Sequence, residues 1–410
     1  MASKNGLPSD WTIIELGANT EIVMGQSPPG ANVRDGGTGM PFLQGNAEFG
    51  HRFPVPVFRC NPPGRVAQKG DILVSVRAPV GEVNEADQDY TIGRGLAAIR
   101  TVEDERDFYW YAFHEARACL SKVSQGSTFD AINKDDLAQV KLPFPPKTVR
   151  EQIGRVLRSI DEAIEATRAV IDQTRRLKTA LLQNLLTNGL PGRHKKFKKH
   201  KFLQRMPTEW HVKPIGEICK IELGKMLSQA VKTGRHYRPY LGNSSVSWGK
   251  IDVTNLEMMD IRDDELERYS LKPGDILICE GGEVGRTAIW EGQLELCCYQ
   301  KALHRLRPNK PNTLVPDFMR FFMEHAVRNN LLVRFTGESS IAHLTRETLV
   351  NVPMSLPPFE EQKQIVLAVK SVETKASVDE GSRDQLIQMK SALSQGLLTG
   401  RIPVKGISND

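Results

Sequence analysis

The sequence predicts an α+β fold built twice. Two tandem globular bodies are each followed by one long helix, and the two helices are partnered in a coiled coil. Three observations predict this. The chain has 410 residues, more than one ordinary core holds. It repeats itself, in order, over nearly its whole length. Each repeat ends in an apolar heptad stripe that is long and narrow and needs a partner helix to cover it.

The repeat is degenerate but ordered. Leu7-Pro8-Ser9-Asp10-Trp11 returns as Met206-Pro207-Thr208-Glu209-Trp210, and Glu21-Ile22-Val23-Met24-Gly25 as Lys220-Ile221-Glu222-Leu223-Gly224. Lys69-Gly70-Asp71-Ile72-Leu73-Val74 returns as Pro273-Gly274-Asp275-Ile276-Leu277-Ile278. Pro145-Pro146 returns as Pro357-Pro358, and Lys178 to Thr187 as Lys390 to Thr399. The offset drifts from 199 to 212 through the bodies and then stays at 212 through the tails. Loops tolerate insertions and packed helices do not, so each unit is a variable body with a tail of fixed length.

In the bodies, Gly-Asp-Ile-Leu marks a turn followed by a strand. Phe108–Val123 and Pro316–Phe335 carry helical patterns, and Trp11 and Trp210 are expected as core anchors. In the tails, a Pro-Pro stop precedes a seam that steps by four and three. The first seam runs Ile153, Leu157, Ile160, Ile164, Thr167, Ile171, Thr174, Lys178, Leu181, Leu185. The second runs Ile365, Val369, Val372, Ala376, Asp379, Arg383, Leu386, Lys390, Leu393, Leu397. The polar seam residues either pin the register or mark solvent exposure. The expected organisation is a first body over 1–145, a central helix over 146–190, a basic linker over 191–205, a second body over 206–356 and a distal helix over 357–402.

Charge and composition narrow the class. Apolar residues make up 40% and charged residues 25%, as in a folded globular chain and not a disordered one. No segment approaches the ~20 apolar residues of a membrane span, and the N-terminus lacks a signal-peptide core. The six cysteines, Cys60, Cys119, Cys219, Cys279, Cys297 and Cys298, form no C-x-x-C pair. Reduced thiols in a cytoplasmic protein are expected, with no disulfide framework and no metal site. The formal net charge of +6 equals that of Arg193 to Lys201, where six basic side chains meet no acidic one. That stretch reads equally as a footprint for phosphates or as a solvated linker.

Catalytic motifs are missing. Asn61-Pro62-Pro63-Gly64 begins like an amino-methyltransferase motif but has Gly64 where an aromatic would stack on a flipped base. Gly281 to Arg286 lacks the ending of a phosphate-binding loop, and His114-Glu115 has no second histidine at zinc-ligand spacing. No dinucleotide fingerprint and no nucleophile elbow is present. The chain is therefore expected not to be an enzyme, to have no catalytic residue and to need no cofactor of its own.

Two variable bodies with near-identical helical tails resemble the specificity subunit of type I restriction–modification enzymes. The strongest local match is Leu356-Pro357-Pro358-Phe359-Glu360-Glu361-Gln362, similar to the family's Leu-Pro-Pro-Leu-Glu-Glu-Gln signature. The first copy, Phe144 to Ile153, lacks the acidic pair. The resemblance implies that each body is a target recognition domain reading one half of a split, asymmetric double-stranded DNA site. It implies an antiparallel coiled coil whose length spaces the half-sites. Two methyltransferase subunits would dock on this frame, joined by restriction–translocase subunits, with S-adenosylmethionine and ATP bound by those partners. Two alternatives stand beside it: the specificity subunit of a related enzyme that cuts both sides of its site, and an interaction scaffold with no DNA role.

Base readout needs Arg, Lys, Asn, Gln, Ser or Thr on groove-facing loops. Four loop pairs recur. Gln26 and Ser27 pair with Lys225. Arg77, after the first Gly-Asp-Ile-Leu strand, is set beside Arg286. Arg94 aligns with Lys301. Ser127 and Thr128 pair with Ser339 and Ser340, trailed by His343. Turn chemistry is the competing reading of the Gly-Ser loops, and phosphate contact or surface charge that of the cations; these loops are expected to face DNA, with no base assigned. Lys195, Lys196, Lys198 and Lys199 are expected as linker charges.

Overall fold

The computed structural model describes residues 7–125, 131–228, 235–336 and 343–404. The chain divides into two compact units, Met1–Ala169 with Glu380–Asp410, and Val170–Asp379. The long helices, Lys147–Asn188 and Phe359–Leu398, are both cut by this division. Each unit therefore holds the start of one helix and the end of the other.

The centre of the first unit is an antiparallel sheet in the order Glu21–Met24, Leu96–Arg100, Ile72–Ser75, Val83–Glu85. Ile72 to Ser75 is buried at every position, which is why the strand reads as a continuous apolar run. The Gly-Asp before it has a specific job. Gly70 turns the chain at φ +92°, a conformation that favours glycine. Asp71 then accepts the Gln68 amide at 2.8 Å and pairs with Arg100 of the neighbouring strand. A second sheet contains Met40–Leu43 and Tyr90–Ile92 in parallel, and Thr12–Glu15 pairs with Lys141–Phe144 beside the first long helix.

The second unit repeats this plan. Its central sheet runs Cys219–Leu223, Leu303–Pro308, Ile276–Cys279, Thr287–Ile289. Gly274 sits at φ +91°, Asp275 accepts the Lys272 amide at 2.8 Å, and Arg307 takes the place of Arg100. The parallel pair recurs as Tyr237–Leu241 with Cys298–Tyr299, and His211–Pro214 pairs with Pro353–Leu356.

Two expectations change. Phe108–Val123 lies inside one helix, Arg106–Gln125, but Pro316–Phe335 is two, Pro316–Arg328 and Leu331–Thr336. The break falls at Asn330, whose φ of +54° lies outside the helical region. The basic stretch is folded: Phe197–His200 pairs with Gln204–Pro207 as a hairpin. Lys198 donates to the Thr208 and Trp210 carbonyls at 2.9 and 2.7 Å. Lys195, Lys196, Lys199 and Lys201 remain exposed. Trp210 is fully buried, and Trp11 packs half-buried on the other core.

No position of either predicted seam is exposed. In the second unit the helix segments run antiparallel: Lys178 meets Glu373 at 2.9 Å, and the Leu190 amide meets Glu361 at 3.3 Å. In the first unit Lys390 meets Asp161 at 2.7 Å, and Leu397 and Leu398 share a core with Ile153 and Leu157. The seam lysines thus pair with a carboxylate of the opposing helix, fixing its register.

The Pro-Pro junctions show two solutions to one problem. Gln362 is fully buried, accepting from the Val315 amide and donating to the Thr313 and Pro357 carbonyls at 2.9–3.0 Å. Glu361, also fully buried, accepts from Trp210 Nε1 at 3.2 Å and lies 2.7 Å from His194 Nε2. Val149 and Arg150 stand at these places in the first copy. Arg150 is buried against Glu105 at 2.7 and 3.0 Å and donates to the Pro145 carbonyl.

Cys60, Cys219, Cys279, Cys297 and Cys298 are buried and unbridged, and among the described residues no cluster of three or more His, Cys, Asp or Glu could hold a metal ion. No described helix is long and apolar enough to cross a membrane.

Candidate nucleic-acid interface

The sheet order decides which loops meet. In the first unit, Glu21–Met24 and Ile72–Ser75 end where Leu96–Arg100 and Val83–Glu85 begin, because their neighbours are antiparallel. Gly25, Gly93–Gly95, Val76–Arg77 and Glu82 therefore share one end of the sheet. Backbone bonds lock them together. The Gly25 amide donates to Leu96 O at 2.9 Å, Gln26 to Ile92 O at 3.0 Å, and Val76 to Gly95 O at 2.9 Å. A Cβ at Gly25 would lie 2.2 Å from the Gly93 carbonyl oxygen, so this close approach requires glycine.

The second unit has the same frame. Gly224 N donates to Leu303 O at 3.4 Å, Lys225 N to Tyr299 O at 3.0 Å, and Glu280 N to Ala302 O at 2.9 Å. A Cβ at Gly224 would lie 2.3 Å from the Tyr299 oxygen. Gln26, Ser27, Arg77 and Arg94 are thereby gathered at one sheet end, and Lys225, Arg286, Lys301 and His343 at the equivalent end of the other unit. Ser127, Thr128, Ser339 and Ser340 lie outside the described residues.

One pairing is corrected. Arg77 and Arg286 are not equivalent. Bridges join Arg77 to Ala131 and Gly281 to His343, so Arg77 corresponds to Gly281 and Ala131 to His343. Ser75 N bonds Glu82 O, and Cys279 N bonds Arg286 O, so Arg286 corresponds to Glu82. The glycine turns at Gly81 and Gly285 sit at the same register, which places the two arginines on opposite sides of their turns.

The side chains differ in availability. Gln26, Ser27, Arg77, Arg94, Lys301 and His343 are exposed. Lys225 is engaged: its Nζ lies 2.6 Å from Glu265 Oε2 and donates to the Asp260 carbonyl at 2.8 Å. Partial burial pushes the Glu265 carboxyl up, and the hydrogen bonds from Lys225 and the Arg262 amide outweigh it, leaving the group below the usual carboxylate range. Arg286 donates to Asn243 O at 2.9 Å and lies 3.5 Å from Glu283. Asn243 also donates to Gly281 O at 2.9 Å, tying two loops of the site together. Nothing in the sequence marks Asn243 for this role, because it joins main chain and side chain some forty residues away.

Two sheet ends with one frame and different side chains define a duplicated protein whose two units diverge at their loops. The chain belongs to the type I restriction modification DNA specificity domain family, whose model matches residues 8–174 and again 207–388. It is 21% identical over 420 residues to the MjaVIII type I restriction enzyme specificity subunit of Methanocaldococcus jannaschii, covering 98% of this chain and 95% of that one. It is 41% identical over 188 residues to a protein of the same organism named for the type I restriction enzyme MjaX specificity subunit. That match covers 45% of this chain and 44% of the relative, so the chain spans less than half of that protein. The fold is that of the type I restriction–modification S subunit from Mycoplasma genitalium, with TM-score 0.58 at 17% identity over 97% of this chain and 98% of that one.

Proposed function

We propose that the chain is a non-catalytic specificity subunit of a type I restriction–modification complex, working in the cytoplasm. Each unit reads one half of a bipartite double-stranded DNA site. The observation that carries this is the repeated loop frame filled with unlike residues: Gln26 against Lys225, Arg77 against Gly281, Arg94 against Lys301, Ala131 against His343. A shared frame poses each reader alike, and different side chains meet different base edges. The half-sites therefore differ in sequence, and the site is asymmetric. The long helices carry two methyltransferase subunits, which restriction–translocase subunits join. S-adenosylmethionine and ATP bind those partners.

The test is adenine methylation across the host genome, with the gene intact and deleted. Loss of one split, asymmetric motif on deletion is expected. An unchanged methylation pattern overturns the proposal.

A further inference from the structure

We propose that the first unit carries a phosphate clamp made by Arg34 and Arg59. The inference rests on the DNA-reading role above and adds to it residues that no loop motif marks. Arg34 and Arg59 lie directly opposite each other on the antiparallel strands Val33–Asp35 and Phe58–Cys60. Side chains opposite each other project from the same face, and like charges so placed repel. Such a pair normally brings a carboxylate with it. Here Arg34 is exposed with no ion pair, and Arg59 donates only to the Gly39 carbonyl, at 3.1 Å, among the described residues. Two guanidiniums side by side without a counter-charge suit a phosphate, which accepts from both at once.

The pair adjoins the candidate interface. The Gln26–Ser27 loop leads through one short helical turn, Gly30–Asn32, into the strand that carries Arg34, and the Asn61 amide donates to the Asn32 carbonyl at 2.9 Å, tying the Arg59 strand to that turn. Ile92 accepts from the Gln26 amide and donates to the Arg65 carbonyl at 2.8 Å. Arg65 and Arg94 are exposed and lack a carboxylate partner among the described residues. The second unit is different. Lys225 is paired with Glu265, Arg238 with Asp263 at 3.1 Å, and Arg286 with Glu283. Its Lys301 and Arg235 are exposed without such a partner among the described residues, but no two of its arginines are set opposite each other on paired strands.

The experiment is duplex binding by the full chain in complex with its methyltransferase partners, between 50 and 200 mM salt. The duplex carries the motif found by methylation mapping. One phosphate left without its cations lowers the slope of log affinity against log salt by about 0.9, which is the change expected for Arg34→Gln with Arg59→Gln. The fall in affinity across that salt range then shrinks about 3.5-fold. Arg34→Lys with Arg59→Lys keeps the slope. Arg238→Gln, whose charge is spent on Asp263, changes it by much less than one step. The glutamine pair removes a repulsion, so the melting temperature without DNA does not fall. An unchanged slope in the glutamine pair, or an equal drop in Arg238→Gln, overturns the clamp. If the unaltered complex binds no duplex at any salt, the DNA-reading role itself fails, and that result is distinct from a slope that does not respond.

Discussion

Glu361→Ala tests how the second unit is closed. Glu361 is fully buried, and four groups depend on it: Trp210 Nε1 at 3.2 Å, His194 Nε2 at 2.7 Å, the Leu190 amide at 3.3 Å and, more distantly, Arg193 Nε at 3.6 Å. Trp210 is itself without solvent access, so its N–H cannot recruit water once the carboxylate is gone. An unsatisfied buried donor costs about 1–3 kcal/mol. With more than one partner orphaned at that cost, the expected total is about 3 kcal/mol or more. Glu361→Gln keeps one acceptor and should lose roughly half as much. Hydrogen exchange read by mass spectrometry is the assay, because it reports local opening free energies. Peptides spanning 186–215 and 355–370 should lose protection in Glu361→Ala, while those around Arg150 and Glu105 stay protected. A change below about 1 kcal/mol, less than one orphaned donor costs, would show that the carboxylate does not close this unit. An equal loss around Arg150 would show the same.

Two further outcomes are expected. Gly25→Ala drives a methyl into the Gly93 carbonyl, 2.2 Å away, and should abolish methylation of the motif while the opposite unit keeps its exchange protection; retained methylation would show that the frame tolerates the shift. Burial, with Arg334 nearby, pushes His325 down to about 4, and in the neutral form its Nδ1 faces the Asn329 amide at 3.2 Å. The folded value lies below the unfolded one, so the neutral ring's contribution is complete above about pH 6.5 and is lost as pH falls towards 4, by up to about 3 kcal/mol. His325→Gln should show a shallower fall in urea midpoint between pH 7 and 4.5; an identical fall would remove His325 as the cause.

The duplicated plan was legible because duplication preserves what folding needs. The heptad seam, Pro-Pro stops and Gly-Asp turns are local patterns, and each has a local physical cause in the structure. Even Lys178 and Lys390, which look like faults in an apolar seam, have a reason: each reaches a carboxylate on the opposing helix. What was hidden depends on pairings distant in sequence. Arg77 and Arg286 look alike in order but differ in register, and only the bridges to Ala131 and His343 show it. Lys225 reads as a free cation until Glu265, forty residues on, is found beside it. The basic stretch reads as a linker because Lys and His dominate it. Its strand pairing is set by Gln204–Pro207, and Arg205 stacks over Phe197 at 3.9 Å.

The division of the chain through both helices has a consequence for synthesis. The second unit, Val170–Asp379, is contiguous and has all its residues before translation ends. The first unit does not. Leu397 and Leu398 are part of its core, beside Ile153, Leu157 and Phe108. The ribosome must add 229 more residues between Ala169 and Leu398, which at ~5–20 residues per second takes roughly 10–50 s. For that interval the body made first lacks the residues that cover part of its core. A released chain truncated after residue 379 should therefore present a closed second unit and a first unit still open to protease.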